Sequence, residues 1–230
     1  MSKSTILSSS IGRKFAMALS ALFLMVFLLQ HFLINLLSVF SPDNFNEVSH
    51  FMGTFWMIQY VMQPVLIFGV LFHFIMGFVL EIKNNRAREV KYAKNKGAAN
   101  SSWMSRNMIW SGLAILSFMA LHFIDFWIPE INIKYVEGDM SGLLDPNLAD
   151  SGFRYFEELV HKFENPIRVS AYCLAFVFLS LHLLHGFSSA FQSAGANNKY
   201  TKGMERFSKI YSVGVPVGFM FIALFHHFNH

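Results

Sequence analysis

Five stretches of this chain, at about 13–40, 57–83, 106–128, 166–192 and 207–228, are each apolar and long enough to cross a bilayer as a helix. Such a crossing takes roughly 20 mainly apolar residues. This feature dictates the fold class, because backbone N–H and C=O groups surrounded by hydrocarbon must be satisfied within the segment itself. Strand signals are weak throughout. The expected architecture is therefore all-α, a five-helix membrane bundle forming one domain over residues 1–230. Pro64 and Pro216 fall inside spans two and five and should kink them. No internal repeat is evident, and the only long connection, about 129–165, is polar and acidic.

The N-terminal apolar run, Phe15 to Phe40, exceeds the roughly 7–15 residues of a signal-peptide core and lacks a small-residue cleavage site, so it is expected to stay as the first span. Only 14% of residues are charged, against about 25% in an ordinary soluble domain. The net charge of +4 could suggest nucleic acid, but the basic residues flank the apolar blocks and line no groove. They read as topology determinants, with no nucleic-acid partner. The single cysteine, Cys173, excludes an intramolecular disulfide framework and a Cys-ligated iron–sulfur cluster within this chain.

Charge asymmetry gives an orientation. Lys3, Arg13 and Lys14 precede span one, and Lys83, Arg86, Arg88, Lys91, Lys94, Lys96 and Arg106 lie between spans two and three. Lys199, Lys202, Arg206 and Lys209 lie between spans four and five, which puts 14 of the 18 basic residues on one side. The other side has Lys134, Arg154, Lys162 and Arg168 among many acids. The positive-inside rule then places the N-terminus in the cytoplasm and the C-terminus outside.

Of ten histidines, His31, His73, His122 and His182 sit deep in the first four spans, one in each. Ionisable groups within a bilayer are costly, so a functional role is the default reading. At about 1.5 Å rise per residue, His31 and His122 lie roughly 27 and 24 Å from the cytoplasmic starts of their helices. By the same rise, His73 and His182 lie about 15 Å from the cytoplasmic ends of theirs. The four sort into two levels, His31 with His122 toward the outside and His73 with His182 toward the inside. Imidazoles paired on facing helices are what a six-coordinate haem iron requires. Gly69, Gly77 and Gly186, one turn from ligand candidates, are expected to make room for a flat macrocycle, and Asn35 to hydrogen-bond a propionate or a neighbouring helix. Two histidines per level without cysteine or carboxylate make a poor zinc or copper site. His50 and His161 read as solvated edge residues, and His226, His227 and His230 receive no role.

The segments SIGRKFAMALSALFLMVFLLQHFLINL (10–36), NEVSHFMGT (46–54), HFIMGFVLEIKNNRAR (73–88), LHFIDF (121–126) and LHLLHGFSSAFQSAG (181–195) together resemble one family. It is the single-chain, five-helix, di-haem cytochrome b membrane anchor of succinate:quinone oxidoreductases, the succinate dehydrogenases and fumarate reductases. The resemblance covers nearly the whole chain and rests on the ordered set of segments rather than on one motif. It implies two haem b groups, one on His31 and His122 and one on His73 and His182, with His185 as an alternative to His182. It implies a flavoprotein subunit that handles succinate or fumarate and an iron–sulfur subunit that passes electrons to the anchor. A membrane quinone, menaquinone in most such anchors, and a cytoplasmic-membrane location complete the expectation. Docking of the soluble subunits is expected on the basic connection 83–106.

Some of these fumarate reductases carry a glutamate two residues before the fourth ligand, in a proposed proton path; here Ser180 stands there and cannot relay protons as a carboxylate. Glu47, His50 and Asp125 are candidates for taking protons from a quinol near the outer haem. Two other readings compete. One is a cytochrome b anchor of a hydrogenase or formate dehydrogenase. The other is a haem-free transporter or scaffold, for which no inverted repeat or broken-helix pair speaks.

Overall fold

The computed structural model describes residues 9–86, 107–148, 150–195 and 201–229. Lys3, most of the basic connection 83–106, Lys199 and His230 lie outside the described residues. Among the described residues every regular element is helical: α1 (Ser10–Phe40), α2 (Pro42–Thr54), α3 (Gln63–Arg86), α4 (Met108–His122), α5 (Ile128–Tyr135), α6 (Tyr155–Glu164), α7 (Pro166–Ser193) and α8 (Thr201–Phe228). Five helical stretches are long and apolar enough to cross a membrane: Ser10–Phe40, Ile58–Asn84, Met108–Tyr135, Pro166–Ser193 and Thr201–Phe228.

Local chemistry explains where they start and stop. Ser9 caps α1 by accepting from the Gly12 N–H, and Ser41 does the same for α2 through Asn44. Asn165 caps α7 by accepting from Ile167 and Arg168, with Pro166 at the first helical turn, where its missing N–H costs nothing. Two wide π turns, Ile58–Met62 and Phe123–Trp127, lead directly into α3 and α5. Each stands just ahead of a proline, Pro64 or Pro129. Proline interrupts the regular ladder, and a wide turn accommodates the interruption while the helix continues. The third span therefore runs to Tyr135 rather than stopping near 128, and the fifth begins at Thr201 because its polar first turns stay helical.

Four spans form a ring in which neighbours touch: α1 with α3, α3 with α4, α4 with α7, and α7 with α1. The two diagonals, α1 against α4 and α3 against α7, make no comparable backbone approach. Helix α8 lies outside the ring against α1 and α7. Between these three helices sits the main core, with Ala18, Met25, Tyr172, Phe176, Phe187, Tyr211, Val215, Phe219, Ile222 and Ala223. Tyr211 donates to the Met25 carbonyl at 2.5 Å. Gly218 leaves room for Phe32, whose ring would lie 2.4 Å from an added Cβ. Attachment is uneven, since 44% of the most apolar window of span five is buried inside the protein but only 6% of that of span two.

At one end of the bundle, α2, α5 and α6 meet over a charged cluster. Glu130 bridges the almost fully buried Lys134 and Arg154, and Arg154 also pairs with Glu158 at 2.9 Å. Lys134 donates to the Gly53 carbonyl of α2, while Asn46 holds Phe153 and Phe156 through their backbones. Gly142 passes through this cluster at φ +65, and a Cβ there would fall 2.6 Å from the Tyr155 hydroxyl and 2.7 Å from His50 Nδ1. Glycine is thus required on two counts.

Candidate functional site

The ring brings the four deep histidines together across its diagonals. His31 of α1 meets His122 of α4 edge to face, with ring centroids 5.8 Å apart and planes at 84°. His73 of α3 meets His182 of α7 at 6.4 Å and 70°. All four rings are partly buried between helices. Each pair thus joins two helices whose backbones stay apart.

The His73–His182 pair, expected on the inner side, is held by serines. Ser20 of α1 lies 3.1 Å from His73 Nδ1, and Ser111 of α4 lies 3.2 Å from His182 Nδ1. A serine hydroxyl has one proton, and in both cases a carbonyl one turn back takes it, Met17 or Met108, at 2.9 Å. In the tautomer that leaves the Nε2 electron pair free for a metal, Nδ1–H of each ring donates to the serine oxygen and the hydroxyl donates to the carbonyl. Outer-shell partners of this kind fix the tautomer and orientation of metal-binding histidines.

The outer pair is held differently. Asn35 donates to the His31 carbonyl at 2.8 Å and stands 3.5 Å from its Nδ1. His122 Nδ1 is buried with no hydrogen-bond partner among the described residues. Aromatic rings fill the surroundings: Phe27 stacks on His31 at 5.6 Å, and Phe126 lies 5.3 Å from His122. One turn beyond His122, Asp125 is almost fully buried, accepts from the Tyr172 hydroxyl at 2.9 Å and pairs with Arg168 at 3.1 Å. Its charge is thereby balanced inside the bundle.

These residues fit a group that takes two axial imidazoles. With about 2 Å from a metal to each imidazole nitrogen, ring centroids fall about 6 Å apart. Among the described residues no cluster of three or more His, Cys, Asp or Glu side chains could hold a bare metal ion. Around the glycines read as making room, Phe23 packs on Gly69, Met17 on Gly77 and Met108 on Gly186. The glycine beside a ligand candidate is Gly112, 3.8 Å from His182 Cε1 by its virtual Cβ.

The remaining candidates are dispersed. His185 is partly buried one turn beyond His182, and no ring contact joins it to a histidine of another helix among the described residues. Glu47 is exposed on α2. His50 turns inward, stacked on Phe153 at 4.2 Å with the Tyr155 hydroxyl 3.4 Å from Nδ1. Burial holds its ring below the ordinary histidine pKa, and the charges of Lys134 and Arg154 add to the effect. His226 hydrogen-bonds Ser38 at 2.8 Å and His227 the Phe163 carbonyl at 2.8 Å, so both tie α8 to its neighbours.

Ser20 and Ser111 are the site residues that the sequence reading passed over, and, against the expectation of no internal repeat, a matched spacing signals them. Each stands eleven residues before a His-Phe pair, Ser20 before His31-Phe32 and Ser111 before His122-Phe123. Each following histidine-bearing span carries His-x-x-x-Gly-Phe, at His73 to Phe78 and at His182 to Phe187. The contacts obey the same symmetry, serine to histidine within each half and histidine to histidine between halves. No family model, curated protein or solved structure matches the chain.

Proposed function

We propose that the chain is a di-haem cytochrome b subunit that anchors a succinate dehydrogenase or fumarate reductase in the cytoplasmic membrane and carries electrons between its iron–sulfur subunit and a quinone. The observation that carries the reading is the presence of two histidine pairs, each spanning a diagonal of the helix ring. In this reading His31 and His122 hold the outer haem, and His73 and His182 the inner one, with the N-terminus in the cytoplasm. Haem, when bound, supplies a centre that takes up and gives back one electron.

The protein's own residues do the rest. Ser20 and Ser111 orient the inner imidazoles, while Phe27, Phe118, Phe126 and Phe219 surround the outer ones with apolar side chains. Asp125, with Arg168 and Tyr172, keeps a charged acceptor within one turn of His122. Glu47 and His50 flank the same end of the bundle, where a quinol would release protons; menaquinone is the quinone the resemblance implies. Chemistry on the dicarboxylate belongs to the flavoprotein partner, with the soluble subunits docked on the basic connection 83–106.

A reduced-minus-oxidised spectrum of the purified chain tests the haem assignment, and a bis-imidazole signature is expected. A colourless protein after expression with ample haem overturns it. Reduction of the same bands by succinate in native membranes tests the complex. Reduction by hydrogen or formate with none by succinate points to another respiratory anchor.

A further inference from the structure

The two histidine pairs differ in what lies behind them. Behind each inner histidine stands a serine oxygen whose only proton is already committed to a backbone carbonyl, to Met17 for Ser20 and to Met108 for Ser111. With Nε2 given to a metal, the neutral ring carries its proton on Nδ1, and the serine accepts it. Among the described residues no such acceptor stands behind the outer pair: His31 Nδ1 faces an amide nitrogen at 3.5 Å, and His122 Nδ1 has no hydrogen-bond partner. Withdrawing a proton toward an acceptor enriches the ring in electron density and makes Nε2 the stronger donor. A stronger donor favours the electron-poor, oxidised state of a metal that it binds.

We infer that Ser20 and Ser111 are positioning residues that set the tautomer and donor strength of the His73–His182 pair, and so lower the reduction potential at that pair alone. The inference rests on the haem reading above. It also follows from the repeat: each half of the chain brings its own serine–histidine unit, and the inner site is where the two units face each other. The two serines should act equally and additively, since each touches a different ring.

The test is a redox titration of the purified, haem-loaded protein carrying Ser20→Ala, Ser111→Ala, both together, or Ser20→Thr. His31→Ala identifies the outer component by its loss. Each alanine should raise the ferrous-to-ferric ratio of the inner component at fixed potential about threefold, and the pair about tenfold. Tenfold is 59 mV for one electron. The outer component should not move, and threonine, which keeps the hydroxyl, should restore the original value. A parallel readout is the low-spin electron paramagnetic resonance signal of the inner centre, which reports imidazole orientation and should change with alanine but not with threonine.

An unmoved inner potential in the double variant overturns the inference, as does an equal shift of both components or an equal effect of threonine and alanine. If alanine abolishes the inner component, its retention with Ser20→Thr still supports the inference, and its loss from both variants overturns it. Absence of haem from the unaltered protein would instead sink the reading beneath it, which keeps the two failures separate.

Discussion

His31 of α1 and His122 of α4 come within 5.8 Å, centroid to centroid, across a diagonal where the helices themselves do not pack. Side chains alone bridge that gap, so replacing either one should have the same effect. His31→Ala and His122→Ala are expected to remove one and the same spectral component. His73→Ala and His182→Ala should remove the other, and each variant should keep about half the haem of the unaltered protein. Haem content and redox titration read this out, and loss of a shared component from His31→Ala and His73→Ala breaks the pairing.

Asp125 is the acid most hidden from solvent among the described residues, and both its oxygens are engaged, one by Tyr172 and one by Arg168. Asp125→Asn keeps the shape but removes the charge. It should destabilise the outer half by about 2 kcal/mol, the scale of a hydrogen bond to a charged group. Thermal unfolding in detergent measures this. A double variant with Arg168→Gln should be less destabilised than the sum of the single changes, because the two losses are one interaction.

Lys134 is almost fully buried and joins Glu130 to the Gly53 carbonyl of α2. Lys134→Met leaves Glu130 short of a partner and should cost about 3 kcal/mol. Faster amide hydrogen exchange confined to α2, α5 and α6 is the expected signature. Adding Glu130→Gln should recover part of the loss.

His50 gives the same end of the bundle a pH dependence. Burial first, then Lys134 and Arg154, lower its pKa in the folded chain. The folded state thus favours the neutral ring. Its contribution is complete above the ordinary value of about 6.5 and is lost as pH falls through the lowered folded value. Exchange of α2 amides should quicken on acidification across that window. In His50→Gln this acceleration should flatten.

Gly218 allows Phe32, the neighbour of His31, to lie against α8. Gly218→Ala should push that ring away and cost roughly 1–3 kcal/mol through overpacking. Among changes outside the histidines, it should perturb the outer component while leaving the inner one intact, as read by the same redox titration.

Much of this layout was legible in the amino-acid pattern. The apolar runs marked the spans, and helical rise alone put His31 level with His122 and His73 level with His182, the partners that meet in space. Ser20 and Ser111 escaped notice because serine is ordinary in membrane helices, and only the paired spacing to His31 and His122 sets them apart. The wide turns ahead of Pro64 and Pro129 have no apolar signature, so the end of the third span was misplaced. Gly69, Gly77 and Gly186 were visible as gaps, but sequence does not say what fills a gap, and Phe23, Met17 and Met108 do. The inward turn of His50 depends on Gly142 and Tyr155, which are about a hundred residues away along the chain.

Helix α3 is the least embedded of the five spans, with 6% of its window buried, and it rests mainly on α1. A segment so lightly seated has little to keep it in register during insertion, since lipid solvates its apolar surface as well as a neighbour does. His73 is its tie to the far side of the ring. Replacing His73 should therefore loosen α3 more than the loss of any other deep histidine loosens its own helix, a difference that amide hydrogen exchange would read.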